Sequence, residues 1–139
     1  MLEVTRNAMQ RVTVHAFLVM LALGAGLPAA QAGERIQFAH GSDNAAVHGS
    51  VTGSHHRDYV LGARTGQTMS VSLITKGSAY FNILPPGSQN VAIFIGSRDG
   101  ENASVRLPSD GDYRIRVYLT GDDKDSGRTV PYTLSVTIM

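Results

Sequence analysis

The chain has 139 residues, no cysteine, no tryptophan and a formal net charge of +1 at pH 7. That length suits one domain, and the lack of cysteine excludes disulfide staples and thiol chemistry. From residue 33 onward basic and acidic residues balance at ten each, which excludes the basic stripe that nucleic-acid binding usually needs.

The N-terminal segment reads as a leader. Arg6 and Arg11 precede an apolar run from Val12 to Leu27, interrupted by Thr13 and His15, and Ala30-Gln31-Ala32 closes it. A basic region, an apolar stretch and a small-x-small site make up a secretory signal peptide, with cleavage expected after Ala32. The alternative, an uncleaved anchor, needs an apolar span of about 20 residues, and this run is shorter. Residues 33–139 are then one exported domain, with no membrane segment after cleavage.

No amphipathic helical pattern follows residue 33. Short strand-like runs recur between clusters of Gly, Pro, Asn, Asp and Ser, the pattern of a sandwich or barrel. The run 35–39 opens, with Ile36 and Phe38 on one face, and 45–53 follows as a glycine-rich second strand. Run 58–63 turns Tyr59, Leu61 and Ala63 to one side. Run 68–75 turns Met69, Val71 and Leu73 inward and leaves Ile74 outward, where a covering loop is expected. Run 79–84 ends at Pro85-Pro86-Gly87, which cannot continue a ladder. The nearly all-apolar 91–96 is expected to be buried on both faces or to lie under the long loop, and Arg98-Asp99-Gly100-Glu101 to form a turn. Run 103–107 leads through Pro108-Ser109-Asp110-Gly111 into 113–119. In that strand Tyr113, Ile115, Val117 and Leu119 alternate with Arg114, Arg116 and Tyr118, a period of two that puts one face in a core. Tyr132, Leu134, Val136 and Ile138 alternate as cleanly with Thr and Ser, and the final strand is expected to pair with 113–119. The whole is an all-β antiparallel sandwich of eight or nine strands.

Candidate chemistry is sparse. Without cysteine or a Gly-x-Ser-x-Gly elbow, and with no triad-like spacing, the sequence reads as a non-enzyme. His40, His48, His55 and His56 lack the ligand pattern of a zinc site, and vicinal His55-His56 would point to opposite faces of a strand. Asp122-Asp123-Lys124-Asp125-Ser126-Gly127 has the oxygen ligands of a calcium loop. It lacks the EF-hand glycine at the sixth position and the closing glutamate, so a solvated acidic loop is the plainer reading. No metal or cofactor is implied. Arg114 and Arg116, with Tyr118 beyond, form either a docking surface or an ordinary solvated face paired with Thr and Ser.

Several stretches together carry a family resemblance. They are Tyr59-x-Leu61-x-Ala63-x-x-Gly66-Gln67-x-Met69-x-Val71-x-Leu73, Tyr80-Phe81-Asn82-Ile83-Leu84-Pro85-Pro86-Gly87, Ala92-Ile93-Phe94-Ile95-Gly96-Ser97, Leu107-Pro108-x-x-Gly111-Asp112-Tyr113 with Ile115-Arg116-Val117-Tyr118-Leu119, and Tyr132-Thr133-Leu134-Ser135-Val136. The mature chain resembles the bacterial periplasmic inhibitors of goose-type (g-type) lysozyme, and parts are similar to pre-peptidase C-terminal-like β-sandwiches. The resemblance implies a periplasmic, non-enzymatic protein that blocks a muramidase cleft with the loop before the last strand. The implied contacts are Arg116, Tyr118, Thr120, Asp122, Asp123, Lys124, Asp125, Ser126 and Arg128. The family carries arginines in this loop. Here acids hold most of those positions, which leaves Lys124 and Arg128 to meet the cleft's carboxylates. The alternative is a cell-envelope module that binds glycan or protein without inhibiting anything.

Overall fold

The computed structural model describes residues 33–139; the leader expected over 1–32 lies outside the described residues. Strands β1 (Glu34–Arg35), β2 (Asn44–Thr52), β3 (His56–Ala63), β4 (Thr68–Thr75) and β5 (Ala79–Leu84) come first in the chain. Strand β6 (Phe94–Ile95), helix α1 (Gly96–Asp99) and strands β7 (Asn102–Arg106) and β8 (Gly111–Leu119) follow, then helix α2 (Gly121–Asp125) and strand β9 (Thr129–Ile138). One sheet has the order β1-β3-β8-β5-β6 and the other β2-β9-β4-β7. All pairs are antiparallel except the two-residue pairing of β1 with β3. The fold is an all-β sandwich.

The alternation read from the sequence sets the core. Tyr113, Ile115 and Val117 of β8 are fully buried, and Val130, Tyr132, Leu134 and Val136 of β9 complete the same cluster. These two strands do not pair with each other, contrary to expectation. β8 lies between β3 and β5, and β9 lies between β2 and β4. A period of two specifies which face is apolar but not which strand lies alongside. Here the two apolar faces meet across the sandwich instead.

Four further expectations are corrected. The opening strand is only Glu34–Arg35, although Ile36 is still buried and its N–H donates to the Val60 carbonyl at 2.9 Å. The apolar run 91–96 is not a strand buried on both faces: Val91 is 75% exposed and only Phe94–Ile95 pair, with β5. Instead of the expected turn, α1 follows at once, because tertiary contacts hold its start. The Gly96 N–H donates to Asn82 Oδ1 at 3.2 Å, and Asp99 Oδ2 accepts from the Ile95 N–H at 3.1 Å. Ile74 is not covered by a loop either, being 66% exposed.

One polar contact bridges the sheets inside the core. The buried hydroxyls of Tyr59 and Tyr132 are 2.6 Å apart, with their rings edge to face. Burial, then the Tyr59 hydroxyl, push the Tyr132 phenol above its ordinary value, and the two hydroxyls share one hydrogen bond. Gly49 makes the room: a Cβ there would stand 2.6 Å from the Tyr59 hydroxyl and 2.7 Å from that of Tyr132. Removing one hydroxyl orphans the other, at a cost of about 1–3 kcal/mol, whereas removing both is nearly neutral. Tyr59→Phe or Tyr132→Phe is therefore expected to lower the denaturation free energy by about that amount, and the double variant to recover most of it. Urea unfolding of the four proteins checks this.

Candidate functional site

Three connections meet at one end of the sandwich: the β2–β3 turn, the β4–β5 turn and the β8–β9 loop, 120–128. The loop is not irregular, as the sequence suggested, but contains α2 and is fastened at several points. The Thr120 N–H donates to the Ser78 carbonyl at 3.0 Å and the Gly53 N–H to the Arg128 carbonyl at 2.9 Å. The Asp122 carbonyl accepts the Ser126 N–H at 2.9 Å and the Ser126 hydroxyl at 2.6 Å.

Asp123 is the anchor. Its side chain turns inward, and Oδ2 accepts the Ser78 N–H at 2.8 Å while Arg128 donates to Oδ1 at 3.2 Å. The Ser78 amide foremost, and Arg128, outweigh burial and hold this carboxyl below its ordinary value. Gly77 permits the approach, since a Cβ there would lie 3.0 Å from Asp123 Oδ2 and closer still to Val130. Asp123 is turned inward, and the exposed charged residues of the loop are Asp122, Lys124, Asp125 and Arg128, the last paired to Asp123. Lys76 of the neighbouring turn is exposed as well. Among the described residues no three His, Asp or Glu side chains are grouped to hold a metal.

The second part of the site is the outer face of the five-stranded sheet, just below the loop. Register places Asp58 opposite Arg116 and Asn82 on its other side, with His56, Tyr118 and Tyr80 in the next row. Arg116 forks onto Asp58 through Nε (2.8 Å) and Nη2 (2.9 Å) and gives Nη1 to the Gln89 carbonyl at 3.3 Å. Arg114 reaches the same carboxylate at 3.1 Å. Both arginines are thus held by Asp58. Burial pushes Asp58 upward, yet the Arg116 bonds and charge, with help from Arg114, outweigh it and hold the carboxyl below its usual value. Tyr118 donates its hydroxyl to Asn82 Oδ1 at 2.9 Å, and its ring lies 6.3 Å from that of Tyr80.

Arg116, Tyr118 and the 120–128 residues thus gather at one end and its adjoining face. Asp58 and Ser78, which help to position them, carry no motif, and Asn82 stood in a resembling stretch without a role. The one available signal was Asp58, which stands opposite Arg116 once β3 and β8 are paired. Flanking the tip is a polar cleft of about 370 Å³ lined by Ser50, Thr52, His55, His56 and Arg57. This end is a fastened, charge-bearing loop on a β-sandwich.

Comparison with known proteins supplies the family. No protein-family model matches the chain. The crystal structure of PliG from Aeromonas hydrophila, a periplasmic inhibitor of g-type lysozyme, superposes with a TM-score of 0.71 at 36% identity, covering 76% of this chain and 95% of that one. The inhibitor of g-type lysozyme of Escherichia coli K12 is 25% identical over 104 residues, 74% of this chain and 78% of that protein. A pre-peptidase C-terminal domain of a Bacillus anthracis collagenase shares the fold at 14% identity and a TM-score of 0.52, covering 76% and 93% of the two chains. The chain belongs to the PliG family of periplasmic, non-enzymatic lysozyme inhibitors.

The depressed carboxyls give a signed pH dependence. Each contributes stability above the unfolded carboxylate value of about 3.9 and loses it as pH falls through its lower folded value. Asp58→Asn is expected to cost about 1–3 kcal/mol at pH 7, where two guanidiniums lose their charged acceptor. It is also expected to flatten the stability loss between about pH 4 and the folded value. Urea midpoints at neutral and acid pH check both parts.

Proposed function

We propose that the chain inhibits a g-type lysozyme by seating the 120–128 loop in the enzyme's active-site cleft, with Arg116 and Tyr118 steadying the adjoining face. Membership of a family whose solved member is an inhibitor of g-type lysozyme at 36% identity supports the target. The observation that carries the mechanism is the inward turn of Asp123 onto Ser78 and Arg128. A glycosidase cleft works through carboxylates, and an outward acidic loop would be repelled from it. With Asp123 paired internally, one of the loop's three acids is withdrawn, and exposed Lys124, beside Asp122 and Asp125, is the cation offered to those carboxylates. Thr120, Asp122, Asp125 and Ser126 belong to the same loop and act through shape. Arg128 acts mainly by holding Asp123.

Pre-ordering strengthens this reading. A loop already pinned by hydrogen bonds at residues 120, 123, 126 and 128 loses little conformational entropy on insertion. A second reading, a cell-envelope glycan-binding module, is favoured by the half-buried Tyr80–Tyr118 ring pair beside the Asp58–Arg116 fork, since aromatic faces present an apolar platform with polar neighbours.

The test is a muramidase assay with protein purified from the periplasm against goose-type and chicken-type lysozymes. Selective, saturable inhibition of the goose-type enzyme is expected. Lys124→Ala is expected to weaken it about tenfold, the loss of one charge-assisted bond, and Lys124→Glu to weaken it further. No inhibition at high excess, combined with retention on a chitin-oligosaccharide column that Tyr80→Ala abolishes, would overturn the inhibitor reading in favour of the glycan one.

A further inference from the structure

At the end of the sandwich away from the 120–128 loop, a cleft of about 390 Å³ opens where β2 begins and β3 and β9 end. Its floor is apolar. Phe38 and Ala63 pack on the core yet stay half-buried, and buried Ile138 completes the floor. Two exposed charges line the same cleft from different sheets: Asp43 stands just before β2, and Arg64 just after β3. They do not form an ion pair with each other, and neither side chain has an ion-pair or hydrogen-bond partner among the described residues.

Backbone bonds fix both charged residues in place. The Asp43 carbonyl accepts the Ile138 N–H at 3.0 Å. The Arg64 N–H donates to Gln67 Oε1 at 2.7 Å, and the Gln67 N–H donates to the Arg64 carbonyl at 3.2 Å. That closed turn leaves the Gln67 side-chain NH2, on the same lining, with no partner among the described residues. The neighbouring charges are engaged or offset. Asp112 pairs with Arg35 at 2.7 Å. The Met139 carbonyl is turned to β4, where it accepts the Thr68 N–H at 2.8 Å. On the Arg64 side, Asp110 takes the Thr65 N–H at 2.7 Å, and the Arg106 guanidinium passes Gly66, 3.7 Å from where a Cβ would stand; these two offset one another. The cleft itself keeps one acid and one base.

We propose that this cleft binds a free α-amino acid with an apolar side chain, its ammonium on Asp43, its carboxylate on Arg64 and the Gln67 amide, and its side chain on the Phe38–Ile138 floor. Opposite charges that share a cleft without pairing leave room for a molecule carrying both signs. A simple anion would meet the Asp43 carboxylate, and a simple cation the Arg64 guanidinium, whereas a zwitterion satisfies both. The guanidinium fork matches a carboxylate, and such charge-assisted bonds are the stronger hydrogen bonds. The floor adds the apolar contact that small-molecule sites combine with a few placed polar groups. The Phe38 ring favours an aromatic side chain over an aliphatic one. The site is separate from the 120–128 loop, which joins the opposite ends of these strands.

Amide-shift NMR titration of protein purified from the periplasm, with three probes, tests this. L-Phenylalanine carries both charges, N-acetyl-L-phenylalanine only the carboxylate and 2-phenylethylamine only the ammonium. Saturable shifts centred on Gly62, Ala63, Arg64 and Gln67 are expected with L-phenylalanine, and at least tenfold weaker binding of the other two, each lacking one charge-assisted bond. Asp43→Asn is expected to weaken L-phenylalanine about tenfold and leave N-acetyl-L-phenylalanine unchanged. Arg64→Gln is expected to weaken L-phenylalanine similarly and leave 2-phenylethylamine unchanged. Both substitutions are at exposed positions, and circular dichroism confirms the fold of each variant. Absence of saturable shifts at these residues, equal binding of all three probes, or a loss in either variant that does not follow the matching charge of the probe would overturn the assignment.

Discussion

The chain has to pass from Leu119, in the middle of one sheet, to Val130, inside the other. That passage shapes the rest of the molecule. Both residues are buried, and the two sheets stand about 10 Å apart. The linking segment must close the end of the core, satisfy its own backbone and still face water. Asp123 reconciles these demands. By taking the Ser78 amide it ties the link to the β4–β5 turn, and through Arg128 it ties both ends of the link together. A lone carboxylate at such a nearly buried position would be costly; with an amide and a guanidinium it is a fastening. The same fastening leaves Asp122, Lys124 and Asp125 outermost.

The sheet face below the link follows a similar logic. Asp58 gathers Arg114 and Arg116, Arg116 reaches on to the Gln89 carbonyl, and Asn82 joins Tyr118 to the start of α1. Ion pairs of this kind add little net stability when exposed, but here they sit half-buried and fix side chains that would otherwise sample many rotamers. A surface ordered before its partner arrives loses less entropy on binding. Order, rather than strong net charge, is what this end offers a partner.

Much of this was legible in the sequence, and the limits have physical causes. The alternation in β3, β4, β8 and β9 correctly assigned their inward residues, because a half-buried strand has no other period available. It could not say that β8 and β9 face each other across the core, since the same alternation serves a neighbour and an opposite equally well. The α1 helix was invisible because Gly96–Asp99 is held by Asn82 and Asp99 side chains and not by local propensity. At the tip, the resemblance marked contacts between residues 120 and 128 but not the inward turn of Asp123. The inward turn of Asp123 depends on Ser78 and Gly77, 45 and 46 residues earlier in the chain. Asp58 escaped notice for the same reason, standing 58 residues from the arginine it orients.

Occupancy of the enzyme's cleft is the most direct measure of how this protein works. Titration calorimetry of goose-type lysozyme with the periplasmic protein, run with the cleft empty and then saturated with a chitin oligosaccharide, reads it without relying on turnover. Insertion of the 120–128 loop predicts tight binding to the empty enzyme and an affinity that falls in proportion to cleft saturation. Equal affinity for the empty and the filled enzyme would contradict it and move the contact elsewhere on the lysozyme surface.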